Sequence, residues 1–185
     1  MENFVKEMYC NECVKRGDFT LSSGAKSNLY IDCRRLSMHN ELLASAVRHL
    51  SAAIGKIIPS HRYAPRFTYG AVPMGGIPFL AGLLMTSSVR RGFYWRSEVK
   101  SHGTRQYFEG FIDASTRSVV LIDDVATSGR SIINMATDMQ ALFPMATVFA
   151  AVVLVDREEG ARSALADLGI PLVSVLTKSQ LLEQP

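Results

Sequence analysis

Residues 119–131 read Val119-Val120-Leu121-Ile122-Asp123-Asp124-Val125-Ala126-Thr127-Ser128-Gly129-Arg130-Ser131. The apolar beginning of this stretch predicts a buried strand, and two adjacent carboxylates follow it. A turn of small and hydroxyl-bearing residues then leads into a predicted helix from about Arg130 to Phe143. In open α/β sheets, ligands bind beyond the carboxyl ends of strands, where a helix N-terminus offers free N–H groups. The stretch therefore predicts an α/β fold with a binding site at this turn.

Helical and strand-like segments alternate along the rest of the chain, which predicts a mainly parallel central sheet flanked by helices. An opening helix is expected to include the apolar positions from Phe4 to Val14, and a short strand to cover Leu29 to Cys33. Further helices are expected over 42–54 (ended by Pro59), 76–85, 130–143 and 158–168, and strands over 67–72, 92–95, 118–122, 148–155 and 172–176. No repeat or linker divides the sequence, so residues 1–185 are expected to form a single domain.

Composition restricts the classes of function. The chain has 185 residues, of which 48% are hydrophobic and 20% charged, as is usual for one globular domain. A net charge of +3 is too small to predict a nucleic-acid or membrane partner. No apolar stretch reaches the ~20 residues of a membrane span, and residues 1–16 lack the apolar core of a signal peptide. We therefore expect a cytoplasmic protein.

The three cysteines do not form a disulfide framework, which favours a reducing compartment. Cys10 and Cys13 have the C-x₂-C spacing of a zinc or redox site. No second such pair follows, so they are expected to be ordinary cysteines, and no metal site built from protein ligands is predicted.

The turn at 127–131 can surround a phosphate with hydroxyl and backbone donors. Asp123 and Asp124 would repel a phosphate, so they suit a ligand that also carries hydroxyls, as a ribose does, or that gains positive charge during reaction. The alternative is that Asp124 and Ser128 only cap the following helix. One capping residue would be enough for that purpose, and the paired acids with a hydroxyl-rich turn favour a binding site.

This stretch resembles the 5-phosphoribosyl-1-pyrophosphate (PRPP) motif of type I phosphoribosyltransferases. The resemblance implies that Asp123 and Asp124 act in catalysis by contacting the ribose hydroxyls. It assigns binding of the 5-phosphate to the loop residues Val125, Ala126, Thr127, Ser128, Gly129, Arg130 and Ser131. It also implies the fold of that family, with a small N-terminal hood segment.

Residues 19–32 resemble a signature of one branch of that family, the orotate phosphoribosyltransferases. They read Phe19-Thr20-Leu21-Ser22-Ser23-Gly24-Ala25-Lys26-Ser27-Asn28-Leu29-Tyr30-Ile31-Asp32. Lys26 supplies a cation, and Tyr30 an aromatic ring that could cover a flat heterocycle. The alternative is an exposed hairpin with Tyr30 in the core.

Residues 70–78 resemble the pyrophosphate loop of the same branch, which makes Met74, Gly75 and Gly76 candidate substrate-binding residues. Glycine lets backbone N–H groups approach an anion closely. Taken alone, the segment is equally a simple turn that precedes a helix.

Residues 96–104, with Glu109 and Gly110, resemble the mobile catalytic loop of orotate phosphoribosyltransferases. Arg96, Lys100 and His102 would supply positive charge to the departing pyrophosphate. Ser97 stands where many family members carry a second lysine. In the family this loop reaches into the partner's site, which implies a homodimer; the alternative is an ordinary solvated loop.

Residues 155–160 resemble the segment that reads orotate in this branch. The planar guanidinium of Arg157 matches a carboxylate bidentately, and orotate has a carboxylate that uracil and purines lack. The alternative is the first turn of a helix, with Arg157 in solvent.

Together these resemblances imply phosphoribosyl transfer from PRPP to orotate, a step of pyrimidine biosynthesis, with Mg²⁺ bound mainly through PRPP. One alternative is a type I phosphoribosyltransferase that uses a purine or uracil. The other is a non-enzymatic regulator of the same fold that only binds PRPP or a nucleotide, which Ser97 would favour.

Overall fold

The structure is a computed structural model, and it describes residues 1–20, 26–58, 67–87, 89, 91–96 and 107–183. In chain order, the described elements are α1 (Glu2–Cys10), β1 (Val14–Thr20), β2 (Lys26–Ile31), α2 (Cys33–Ser37), α3 (Asn40–Ile57), β3 (Phe67–Ala71), α4 (Gly76–Thr86), β4 (Gly92–Trp95), β5 (Phe108–Gly110), β6 (Ser118–Ala126), α5 (Arg130–Leu142), β7 (Thr147–Asp156), α6 (Ala161–Ala166), β8 (Leu172–Thr177) and α7 (Lys178–Glu183).

The central sheet has the strand order β5-β4-β3-β6-β7-β8. Its neighbouring strands pair in parallel, except for the antiparallel β4–β5 pair at one edge. The chain runs from β3 through α4 to β4 on one side, and from β6 through α5 to β7 on the other. The strand order therefore reverses between β3 and β6, which is where open α/β sheets form a ligand-binding crevice. The predicted α/β fold with a mainly parallel sheet is confirmed.

The sheet is covered on both faces, and β6 shows why its sequence is apolar at consecutive positions. Val120 and Ile122 join the core formed with α1, α3 and α4. Val119 and Leu121 join the core formed with α5 and α6. A strand buried on both faces has no polar side, so it reads as a continuous apolar run.

The N-terminal hood is an antiparallel hairpin of β1 and β2, separate from the central sheet. The expectation that the opening helix includes Val14 is wrong. The helix ends at Cys10, and the chain reverses at Glu12, whose φ is 56°. Val14 opens β1 instead, because it pairs with Ile31 and is buried in the core.

Cys33 was expected in a strand but begins the short helix α2. The carboxylate of Asp32 accepts a hydrogen bond of 3.1 Å from the backbone N–H of Arg34 and so caps this helix. The expected helix 158–168 is likewise shorter, because Glu158 and Gly160 have φ values of 58° and 102° and lie outside it.

The end of β6 and two short elements also differ from the expectations. β6 continues past Ile122 through both acids to Ala126. β5 and α7 were not predicted, because β5 has only three residues and α7 six. Pro59, the expected end of the second long helix, lies outside the described residues. Among the helices that the structure describes, none has the length and apolar character needed to span a bilayer.

Candidate functional site

Two turns meet where the strand order reverses, one after β3 and one after β6. A Cβ atom on Gly75 would overlap the carboxylate of Asp124, and one on Gly76 would overlap the backbone carbonyl of Ile122. The Val72 carbonyl accepts a hydrogen bond of 2.9 Å from the N–H of Gly76. Two residues without side chains therefore let the first turn lie directly against the acids. Met74, which follows a cis peptide bond, is 81% exposed.

The two adjacent acids differ in environment. Asp123 is buried, and its Oδ1 accepts a hydrogen bond of 2.9 Å from the N–H of Asp124. Burial raises the pKa of the Asp123 carboxyl well above its usual range, and the Asp124 carboxylate raises that pKa further. Asp124 is partly exposed, and its Oδ1 accepts a hydrogen bond of 2.8 Å from the N–H of Val125. A ligand that brings positive charge here would favour the ionised form of Asp123.

The turn after β6 surrounds a small cavity of about 90 Å³. Its lining residues are Asp123, Val125, Ala126, Thr127, Ser128, Gly129, Arg130, Ser131 and Ile132. Within the described chain, no residue accepts a hydrogen bond from the backbone N–H of Thr127, Ser128 or Gly129. Free N–H groups and hydroxyls around a small cavity are suited to hold a phosphate.

Residues 127–131, which we call the phosphate-sized turn, are held by contacts with the neighbouring turn after β7. Gly129 has a φ of 77°, and a Cβ atom there would lie 3.3 Å from the Cα of Ala161. The N–H of Ala161 donates to the carbonyl of Thr127 at 3.1 Å. The backbone N–H of Arg157 donates to the carbonyl of Ala126 at 2.9 Å. Arg157 therefore begins its turn directly beside the turn that follows β6.

A second, larger cavity of about 560 Å³ lies between the hood and α7. Its lining residues are Asp18, Phe19, Lys26, Ser27, Asn28 and Lys178. We call it the base cavity. The Arg157 side chain is buried at its edge, and Nη2 donates to the hydroxyl of Ser27 at 3.1 Å. The structure thus places Arg157 against Ser27 in the wall of the cavity that Lys26 also lines, although Arg157 and Lys26 lie far apart in sequence.

Tyr30 lies beside the base cavity and is not one of its lining residues. Its ring packs on the ring of Phe19, with the two ring centroids 5.5 Å apart. Its hydroxyl accepts a hydrogen bond of 3.3 Å from the Arg34 guanidinium. The aromatic residue that lines the cavity is Phe19. A direct role for Tyr30 in covering a heterocycle stays a prediction.

Arg96 and Glu109 mark the two ends of the segment predicted to be the catalytic loop. The N–H of Arg96 donates to the carbonyl of Tyr107 at 2.7 Å, and its Nη1 lies 3.1 Å from Glu109 Oε1. The other predicted loop residues, Lys100 and His102, lie outside the described residues, as does Ser97.

Sequence reasoning missed two charged residues beside Arg157, which are Glu159 and Lys178. Glu159 Oε1 accepts from Nε and Nη2 of Arg157 at 3.2 and 3.1 Å, and lies 3.4 Å from the ammonium group of Lys178. Lys178 directly follows β8, so the rule that places ligand sites at strand ends could have found it. Glu159 carries no such signal.

The cysteines do not form a site. Cys10 is exposed, whereas Cys13 and Cys33 are buried, and all three are free thiols. The described part of the chain also holds no group of three or more His, Cys, Asp and Glu residues arranged to bind a metal ion.

Comparisons with known proteins give consistent similarities. No protein-family model matches the chain. The orotate phosphoribosyltransferase of Aeropyrum pernix is 42% identical over 172 residues, which cover 92% of this chain and 87% of that protein. The Sulfurisphaera tokodaii enzyme of the same name is 34% identical over 98% of this chain and 87% of its own length. The crystal structure of the Aeropyrum pernix protein superimposes with a TM-score of 0.78, covering 97% of both chains at 36% identity.

The buried acid gives a prediction about stability. Because burial raises the pKa of Asp123, ionising this group costs folding free energy. The cost appears as pH rises from the ordinary carboxyl pKa through the raised native one. Asp123→Asn should therefore unfold at a higher temperature than the wild type at neutral pH, and the difference should shrink in acid. Each 1 kcal/mol gained corresponds to about 2–4 °C for a chain of this length.

Thermal unfolding followed by circular dichroism from pH 4 to pH 8 measures this difference. Asp167→Asn serves as the matched control, since Asp167 is exposed and should leave the unfolding temperature unchanged. An Asp123→Asn protein no more stable than wild type at neutral pH would contradict the prediction.

Proposed function

The chain belongs to the orotate phosphoribosyltransferase family, and on this premise we propose how its residues divide the reaction. The enzyme transfers a phosphoribosyl group from PRPP to orotate, which gives orotidine 5′-monophosphate and pyrophosphate in pyrimidine biosynthesis. One observation carries the assignment of sites. Arg157 bonds through its backbone to the strand that ends in the phosphate-sized turn, and through its side chain to the base cavity.

In the proposed arrangement, residues 127–131 hold the 5-phosphate with their free N–H groups and hydroxyls. Asp123 and Asp124 then contact the ribose hydroxyls. During transfer, the bond from the anomeric carbon to pyrophosphate breaks with its electron pair on the leaving oxygen. The ribose gains oxocarbenium character, and this positive charge is stabilised by the carboxylates beside it.

Orotate occupies the base cavity in this proposal. Its carboxylate pairs with the guanidinium of Arg157, whose Nη1 has no partner among the described residues. Lys26 adds a second positive charge, and the Phe19–Tyr30 pair covers one face of the pyrimidine. The ring nitrogen attacks the anomeric carbon and loses its proton as the new bond forms, and the departing pyrophosphate accepts this proton.

The pyrophosphate is bound from two directions. The turn at 74–76, with Met74, Gly75 and Gly76, approaches from β3. Arg96, Lys100 and His102 supply positive charge from the loop that Arg96 and Glu109 delimit. We propose that this loop acts across a homodimer and that its closure excludes water that could hydrolyse PRPP.

The donor set fits a Mg²⁺ ion that is held mainly by the substrate. Asp123 and Asp124 offer hard oxygen ligands, and no third metal-binding side chain joins them in the described residues. Mg²⁺ is commonly bound through one or two carboxylates together with substrate phosphates and water. When bound, it would neutralise charge on the pyrophosphate.

The proposal treats residues 1–185 as one phosphoribosyltransferase domain, since the two apolar cores lie on the two faces of a single sheet. It places the enzyme in the cytoplasm, where its three free thiols would stay reduced. Neither a purine- or uracil-specific enzyme nor a regulator without activity is favoured.

The assignment of Arg157 is tested by the loss of orotate absorbance in the presence of PRPP and Mg²⁺, with uracil and hypoxanthine in parallel. The wild type should use orotate alone. Arg157→Lys keeps the charge and loses the bidentate geometry, so kcat/KM for orotate should fall about 10- to 100-fold while the KM for PRPP stays nearly constant. Arg48→Lys is the control, because Arg48 is exposed on α3. An equal effect on both substrates would contradict the assignment.

Gly75→Ala tests the close approach of the two turns. Gly75 has φ −65° and ψ −38°, which alanine adopts readily, so the protein should fold. The new methyl group would displace the Asp124 carboxylate, and the KM for PRPP should rise about tenfold through the loss of a hydrogen-bonded charge. Gly55→Ala, on the exposed side of α3, should not change PRPP kinetics. A Gly75→Ala enzyme with wild-type kinetics would show that Asp124 does not need this position.

The shared loop is tested by mixing two inactive proteins, Asp124→Asn and Lys100→Ala, under conditions that exchange subunits. If the loop serves the partner's site, each mixed dimer has one intact site. Random exchange should then restore about a quarter of the wild-type activity. Size-exclusion chromatography with light scattering verifies that dimers form. Exchange without recovery of activity would exclude a site shared in this way.

A further inference from the structure

The base cavity holds a second lysine that the family signature does not point to. Lys178 lines this cavity together with Lys26 and Ser27. Its side chain is 25% exposed, so the ammonium group is partly withdrawn from solvent. Any anion that enters the cavity meets this charge.

The register of the sheet explains why Lys178 lies beside Arg157. β7 and β8 are parallel neighbours, and Asp156 at the end of β7 pairs with Thr177 at the end of β8. Arg157 directly follows β7 and Lys178 directly follows β8. The two cations therefore lie side by side at the same edge of the sheet. They meet at Glu159, whose Oε1 lies within hydrogen-bond distance of both side chains.

Charge in this region is unevenly compensated. Arg157 and Glu159 form a close pair at 3.1 Å, whereas Lys178 lies at 3.4 Å from the same oxygen. Glu159 is the one residue that accepts a hydrogen bond from the Lys178 ammonium group among the described residues, although that group carries three donors; the Glu158 carboxylate interacts with the same charge electrostatically. The charged residues that line the cavity are Asp18, Lys26 and Lys178, so the lining has a formal charge of +1.

The Lys178–Glu159 pair is not needed to attach α7. Glu158 already bonds to the first turn of this helix, because its Oε2 accepts hydrogen bonds of 2.8 and 2.6 Å from the N–H and hydroxyl of Ser179. A partly exposed ion pair at 3.4 Å adds little stability beyond these bonds. The ammonium group of Lys178 on the cavity wall is therefore available to bind a ligand.

We propose that Lys178 is a specificity-determining residue of the base cavity, where its ammonium group donates to the carboxylate of the pyrimidine substrate beside Arg157. Glu159 holds both cations before the substrate arrives. Lys178 keeps one hydrogen bond to Glu159 and offers its remaining donors to the ligand. This inference rests on the proposed function, since it takes the base cavity to be the orotate site.

The test compares wild type, Lys178→Gln, Lys178→Arg and the control Lys56→Gln in steady-state kinetics with orotate and PRPP varied separately. Lys56 is exposed on α3 and is not a lining residue of this cavity. Lys178→Gln should raise the KM for orotate about tenfold, the effect of losing one charge-assisted hydrogen bond. The KM for PRPP and the unfolding temperature should match those of the control. Lys178→Arg keeps a donor with positive charge and should recover most of the orotate affinity.

The outcomes separate the two proposals. Wild-type protein that turns over no orotate contradicts the proposed function, and this inference with it. Wild-type turnover with an unchanged orotate KM in Lys178→Gln overturns the role of Lys178 alone. Equal rises in the KM for both substrates, or a lower unfolding temperature with unchanged kinetics, would identify Lys178 as a structural residue and overturn the proposal.

Discussion

The turn after β3 approaches the end of β6 so closely that no side chain fits between them at Gly75 and Gly76. This contact depends on the pairing of β3 with β6, in which Ala71 lies opposite Ile122. It fixes the position of the Asp124 carboxylate, and it closes one side of the crevice at which the strand order reverses. Every other part of the site is arranged around these few atoms: the phosphate-sized turn continues from β6, and the base cavity lies beyond the next strand.

Burial of Asp123 places a destabilising feature at the centre of this arrangement. A carboxyl group that is 7% exposed and adjacent to another acid resists ionisation. The cost is tolerated because the apolar cores on both faces of β6 stabilise the strand that carries it. In the proposed reaction, positive charge from a metal ion on the substrate or from the ribose would favour the ionised form of Asp123. The stability of the fold and the proposed role of Asp123 in catalysis thus favour opposite protonation states of this residue.

The sequence predicted the central sheet well, because burial on both faces leaves a distinct signal. The apolar run of β6 has no polar alternation. The two acids lie near the carboxyl end of this strand and the hydroxyls follow it, where parallel sheets bind ligands. The end of α1 was missed for a different reason. Cys13 and Val14 continue the apolar pattern of a helix, but they are buried through the hood hairpin, and periodicity cannot separate these two causes of burial.

Sequence reasoning selects candidate site residues whose type has a direct chemical purpose, and it gives little signal for residues that act through another residue. Arg157 and Lys26 could be selected from their charges, yet nothing in the sequence pointed to Ser27, 130 positions before Arg157, as the hydroxyl that accepts a hydrogen bond from its guanidinium. Lys178 is even harder to select from the sequence, because an isolated lysine after a strand is usually a solvated surface residue. Only the register of β7 with β8 brings it to the same carboxylate as Arg157.

Arg157 contacts three parts of the molecule. Its backbone N–H bonds to the strand that leads into the phosphate-sized turn, its guanidinium bonds to the hood through Ser27, and Glu159 holds it from the turn after β7. A shift of the hood would therefore move the guanidinium, and with it the strand end to which its backbone is attached. Since Arg157 is buried, it has little freedom to absorb such a shift by changing its own conformation. The base cavity and the turn after β6 thus share Arg157 as a common structural support.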